Sequence, residues 1–193
     1  DFPDALAGTA PAVLGGSPVV LTKAGQLPQA TRAALETLQP EEVFVLGGTA
    51  AVSDEVLTQV EDLTGADVRR LSGSNRYGTA AAIALDRFEP DFVGAVYVAS
   101  GEDFADALSG GPLAGLGGSP ILLTKQGSLP GVTIRALESL DPALIVVLGG
   151  DAAVSDEVLA ELGQYADDVQ RVSGSDRYET AAVVADRMPP SEA

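Results

Sequence analysis

The residues best suited to chemistry in this sequence come in matched pairs. Asp1 and Asp4 stand three apart, and the same spacing returns at Asp103 and Asp106. On a helix such carboxylates share a face. There they can ligate Ca²⁺, work as an acid–base pair, or cap and charge a helix start. Arg76-Tyr77 and Arg177-Tyr178 form a second matched pair, each at the head of an expected helix. A cation there opposes the helix dipole, so local propensity does not account for it. An ion pair with a carboxylate across a module interface would account for it, and so would an anionic or sugar ligand with the tyrosine as a stacking surface. Lys23 and Lys125 recur at strand ends and can add to either role. Gly47-Gly48 and Gly149-Gly150 follow strands, where backbone amides and a helix start favour an anion. There is no GxGxxG and no Walker lysine, however, and Ser53-Asp54-Glu55 already reads as a cap with an acidic first turn.

Composition narrows the chemistry further. The 193 residues include no His, no Cys and no Trp. That excludes a Ser-His-Asp triad, an imidazole base, a thiolate nucleophile, a zinc ribbon and any disulfide. Catalysis would have to rest on Asp, Glu, Lys, Tyr, Ser or a hard metal such as Ca²⁺. The formal net charge is −17, which repels nucleic acid and anionic membranes, since both are held by Lys and Arg. A solvated acidic surface, adaptation to salt, or a layer of divalent cations would each explain it. No apolar run approaches the roughly 18–20 residues of a membrane span. An opening at Asp1, without Met or a leader pattern, suggests a processed or truncated product. The absence of Cys fits a secreted protein and a reduced compartment equally well.

The elements that position these residues are repeated. Asp1 to Leu6 (DFPDAL) returns as Asp103 to Leu108 (DFADAL), 102 residues on, and Ala50–Leu57 is identical to Ala152–Leu159. The fuller copy reads as strand 94–99, helix 104–116, strand 120–124, helix 132–140, strand 144–148 and helix 156–162. A short strand near 169–172 and a helix from 177 to about 187 complete it. The strands are unbroken apolar runs rather than alternating ones, which indicates burial on both faces of a parallel sheet, with the helices as crossovers. The expected fold class is therefore α/β: tandem small three-layer, Rossmann-like modules, each of about four mainly parallel strands. Repeat 1 spans residues 1–89 and repeat 2 spans 90–193. Repeat 1 lacks the counterpart of strand 94–99, a core strand, so sequence upstream of Asp1 or another chain is expected to supply it.

The motif R-x-S-G-S-[ND]-R-Y-x-T-A-A stands at Arg70–Ala81 and again at Arg171–Ala182. Together with Val98–Leu108, Ser119–Thr124 and Leu148–Ser155 it resembles the cell wall-binding repeat 2 modules of bacterial surface proteins. The resemblance implies an extracellular, non-catalytic anchor that holds an anionic secondary polysaccharide of the cell wall. It also implies three modules around a pseudo-threefold axis, with further copies in cis or in trans as partners. In that family's phase the chain holds a partial module (1–66), a whole one (67–166) and the start of a third (167–193). Arg76, Tyr77, Arg177, Tyr178, Lys23 and Lys125 become the candidate polymer contacts. Asp1, Asp4, Asp103 and Asp106 are candidate helix caps or cation ligands. No cofactor is expected beyond Ca²⁺ bridging between the acidic protein and its polyanion. A self-assembling surface-layer or filament subunit is the first rival reading, and a carboxylate-dependent enzyme the second.

Overall fold

A computed structural model describes residues 2–103 and 105–189. Helices and strands alternate in the order α1 (Phe2–Leu14), α2 (Gln29–Leu38), β1 (Glu42–Leu46), α3 (Asp54–Thr64), β2 (Asp67–Leu71) and α4 (Arg76–Arg87). The second copy continues with β3 (Ala95–Ser100), α5 (Ala105–Leu116), β4 (Ile121–Thr124), α6 (Gly131–Leu140), β5 (Leu144–Leu148), α7 (Asp156–Leu162), β6 (Asp168–Val172) and α8 (Arg177–Ala185). Every strand pairing is parallel. The four-stranded sheet runs β4-β3-β5-β6, and the other sheet holds only β1 and β2. Among the described residues no helix is long and apolar enough to cross a membrane.

Local chemistry sets the boundaries. Ser53 and Ser155 accept a hydrogen bond from the amides of Val56 and Val158 and so begin α3 and α7. Asn75 does the same for Gly78, and Asp176 for Tyr178 and Glu179. Apolar strand residues then fill the main core. Val96, Val98, Leu122, Leu123, Ile145 and Leu148 are all buried there, beside Leu137, Leu140 and Leu162 from the helices. Each such side chain contributes about 1.5–3 kcal/mol by leaving water. A smaller core of Leu27, Leu35, Val45, Val52, Val56 and Val60 lies in repeat 1.

The repeats part company at one strand. Residues 18–22 have the composition of β4 but form no strand. β4 pairs only with β3; among the described residues no counterpart of β3 lies in repeat 1, and its sheet has two strands rather than the three expected of a repeat lacking its first. Val19, Val20 and Leu21 are consequently exposed. Helix α4 is the last element of the first copy, yet it packs on β4 and α6 of the second. Its Ile83, Ala84 and Phe88 join the main core.

Helices α1 and α5 are counterparts and pack on each other more extensively than any other pair of elements. Their contact is made close by Gly111 and Gly115. A Cβ on Gly115 would lie 2.6 Å from Val13 Cβ, and one on Gly111 would overlap the Thr9 hydroxyl.

Candidate functional site

The carboxyl ends of parallel strands, where α/β folds place ligands, open in repeat 1 into a cleft of about 500 Å³. It is lined by Asp4, Thr22, Ala24, Gly48, Ala50, Ala51, Gly73, Ser74, Asn75, Arg76 and Thr79. Three short segments form its walls, and each is fixed by a specific contact. Gly47 adopts φ +102, and a Cβ there would come within 2.7 Å of Asp4 Oδ2. The glycine thus lets the buried Asp4 carboxylate approach the turn. Arg70 donates to the Gly47 carbonyl at 2.8 Å and pairs with Asp54 at 2.9 Å. In the second copy Arg171 donates to the carbonyls of Gly149 and Val154 and pairs with Asp156. The Gly73 amide donates to the Thr79 hydroxyl at 3.2 Å, as Gly174 does to Thr180 at 2.9 Å.

The two Arg-Tyr pairs sit in different surroundings. Arg76 Nη1 donates to the Gly101 carbonyl at 2.6 Å, so it reaches from the cleft of repeat 1 to the end of β3. Tyr77 packs beside it, close enough that a Cβ on Gly101 would meet its ring at 2.6 Å. Burial pushes the Tyr77 phenol up, Glu102 adds to this, and Arg76 opposes it. Arg177 instead pairs with Asp103 at 3.0 Å, with both side chains about half exposed. Tyr178 is 80% exposed. Lys23 and Lys125 are exposed at the ends of the 18–22 segment and of β4.

The acidic candidates are also separated by the structure. Asp4 and Asp106 occupy matching buried positions, each against the glycine of its turn. Burial raises the Asp106 carboxyl above its ordinary value, Asp103 raises it further, and Arg177 works against both. Asp103 accepts from the Ala105 amide at 3.3 Å at the start of α5. Asp1 lies outside the described residues. Among the described residues no three carboxylates gather closely enough to hold a metal ion. The Gly-Gly segments form turns in which the Gly48 and Gly150 carbonyls accept from the amides three and four positions ahead. With Ser53 and Ser155 capping the next helix, they are turns plus caps rather than phosphate cradles.

The model of cell wall binding domain 2 (CWB2) matches residues 1–57 and 70–159. The chain belongs to the cell wall binding domain 2 family. It is 34% identical over 121 residues to the N-acetylmuramoyl-L-alanine amidase LytC of Bacillus subtilis, a match covering 63% of this chain and 24% of the amidase. It is 31% identical over 158 residues to the amidase enhancer of the same organism, covering 81% of this chain and 21% of that protein. Cwp6 from Clostridium difficile superimposes with a TM-score of 0.87 at 29% identity, over 96% of this chain and 30% of that one. The chain thus spans about a quarter or less of these two curated relatives.

Two sets of CWB2 site residues escape a reading by residue type. Arg70 and Arg171 look like motif background but hold the turn that shapes the cleft. Thr79 and Thr180 look like ordinary helix residues but fix the Ser-Gly-Ser segment. Their recurrence in step with the Gly-Gly turns was the available signal.

Proposed function

We propose that the chain binds an anionic, hydroxyl-rich polysaccharide of the cell wall, without catalysis, through the repeat 1 cleft. The carrying observation is the lining itself. Arg76 is its single cationic group, among Thr22, Ser74, Asn75, Thr79 and several backbone positions. Such a surface offers hydrogen bonds to sugar hydroxyls and one charge-assisted contact to an acidic group. Asp4 can accept from a hydroxyl but repels a polyanion, so a single basic contact has to be supplemented. Lys23, next to Thr22, and the Arg177–Lys125 side of repeat 2 are placed to do so, and bridging Ca²⁺ is the other route. In this reading the working unit follows the family's phase, because α4 covers β4 and α6. The raised Asp106 carboxyl follows from burial and from Asp103, without a catalytic role.

Co-sedimentation with purified cell walls tests this reading. Retention should fall when the secondary polymer is extracted. Arg76→Ala should weaken it by about tenfold, the equivalent of 1.4 kcal/mol. Arg177→Ala and Lys125→Ala should have smaller effects, and a chelator arm reports on Ca²⁺. Unchanged retention on polymer-free walls would reject the reading. The rival reading, self-assembly, draws on exposed apolar groups at the two ends, Val19–Leu21 and Tyr178. It calls for concentration-dependent sedimentation of the chain alone.

A further inference from the structure

The heads of α4 and α8 come from one motif but treat their backbone amides differently. In repeat 2, Glu179 Oε2 accepts from the Ser175 amide at 2.6 Å. Asp176 Oδ1 accepts from the amides of Tyr178 and Glu179, both at 2.9 Å. The contacts with Ser175 hold the Glu179 carboxyl below its ordinary value, so it sits there as an anion. In repeat 1, Gly78 stands in place of Glu179 and Asn75 in place of Asp176. Asn75 Oδ1 accepts from the Gly78 amide alone, at 3.0 Å. The amides of Ser74 and Tyr77 have no acceptor among the described residues. Two donors that repeat 2 satisfies with its own carboxylates are thus left open in repeat 1.

Neighbouring elements do not account for this difference. In repeat 2 the loop between β3 and α5 lies close by, yet its acceptors are used elsewhere. Ser100 takes the amides of Glu102 and Asp103, and Glu102 takes that of Gln126. Asp103 takes the Ala105 amide and the Arg177 guanidinium. The two side chains of the motif itself therefore decide it. Ser74, Asn75 and Arg76 line the cleft, and the Tyr77 amide follows in the first turn of α4, where the helix dipole favours negative charge. The same lining holds Asp4, only 9% exposed and without a hydrogen-bond donor among the described residues. A carboxylate so buried calls for a donor from outside the protein.

We propose, resting on the polysaccharide reading above, that the repeat 1 cleft seats one acidic sugar unit of the polymer. Its oxyanion group lies on the amides of Ser74 and Tyr77 beside Arg76, and a sugar hydroxyl donates to Asp4. Asn75 and Gly78 are the specificity-determining residues, because they leave these amides to the ligand. In repeat 2 the ligand's place on the Ser175 amide is already taken by Glu179, and an arriving anion would also meet Asp176. Between Ser74 and Thr79 the one charged side chain is Arg76, whereas between Ser175 and Thr180 two carboxylates outweigh Arg177. A neutral sugar unit is discriminated against at repeat 1, since it brings no charge to the amides and to Arg76.

The test follows amide shifts of the 15N-labelled chain during separate titrations with glucuronate, inorganic phosphate and glucose. Glucuronate should shift Ser74 and Tyr77 saturably, while Ser175 and Tyr178 stay in place and glucose moves none of the four. A stronger response of the same two amides to phosphate also supports the seat and assigns it to a phosphate-bearing unit. Gly78→Glu and Asn75→Asp should each weaken the response by about tenfold. Repeat 2 carries both side chains in the same motif, so these variants keep the fold, which circular dichroism checks. Asp4→Ala should weaken glucuronate and spare phosphate. Asp176→Asn combined with Glu179→Gly should create a second responding site at Ser175 and Tyr178, a gain that misfolding cannot produce. No saturable shift at Ser74 and Tyr77 with either anion overturns the proposal. Indifference to Gly78→Glu, an equal response to glucose, or an equal response of repeat 2 in the unaltered chain does so too. Wall retention separates the two readings. If Gly78→Glu retains full polymer-dependent sedimentation, the seat is wrong and the polymer reading stands; if the unaltered chain ignores polymer removal, the polymer reading itself fails.

Discussion

Leu21 and Leu123 are counterparts in two copies of one sequence, and a threonine hydroxyl grips the carbonyl of each. Leu123 is fully buried, while Leu21 is 63% exposed. Neither propensity nor near neighbours separates them, since the flanking Leu-Thr-Lys is the same in both. What differs is a strand outside the segment, β3, which pairs with β4 and has no counterpart beside residues 18–22 among the described residues. Strand identity here is a property of the sheet more than of the segment. Helix α4 gives the same lesson from the other side. Its Ala84 is buried against repeat 2, whereas the matching Ala185 of α8 is exposed.

This contrast can be broken most forcefully with a charge. Leu122→Asp should destabilise the chain by at least about 4 kcal/mol, because it buries an unpaired carboxylate. Val20→Asp at the matching place should stay within about 0.5 kcal/mol. Urea unfolding checks both, and equal losses would mean that residues 18–22 are packed after all. Next come the arginines that hold the Gly-Gly turns. Arg171→Ala removes two carbonyl contacts and should cost about 2–3 kcal/mol, against about 1–2 kcal/mol for Arg70→Ala with one. A reversed order would show that repeat 1 depends more on its turn than the geometry indicates. Cap removal should not distinguish the copies. Ser155→Ala and Ser53→Ala should each cost about 1 kcal/mol in thermal unfolding.

The smallest effect is a slope with pH. The folded Asp106 carboxyl is raised above its ordinary 3.8, chiefly by burial, so the native state holds this proton more tightly than the unfolded chain. The contribution of this group to stability is therefore greatest below pH 3.8. It is lost as pH rises through that value toward the raised one. Asp106→Asn should flatten this part of the stability curve, with its gain confined to pH above the window. A gain that persists below pH 3.8 would place the effect in packing instead.

Much of this molecule was legible in its residues. The unbroken apolar runs marked β3 to β5 almost to the residue, and the Ser-Asp-Glu cap placed α7 from Asp156. Phe104, expected to open α5, lies outside the described residues. The strand expected over residues 18–22 failed because composition reports what a segment can bury and is silent on whether a partner is there. At the site, Arg76 stood out by its scarcity and its position against the dipole. Its acceptor, a backbone carbonyl in the other repeat, has no side-chain signature. The staples made by Arg70 and Arg171 were hidden for the same reason.

The close contact between α1 and α5 gives the duplication a direction. Thr9 and Val13 in the first copy stand where the second has Gly111 and Gly115. One helix has kept the projections and its twin has become the recess that receives them. Two identical first copies would collide along this line, and two identical second copies would leave it hollow. The order of the halves is written into four positions, two with side chains and two without, and neither half can take the other's place.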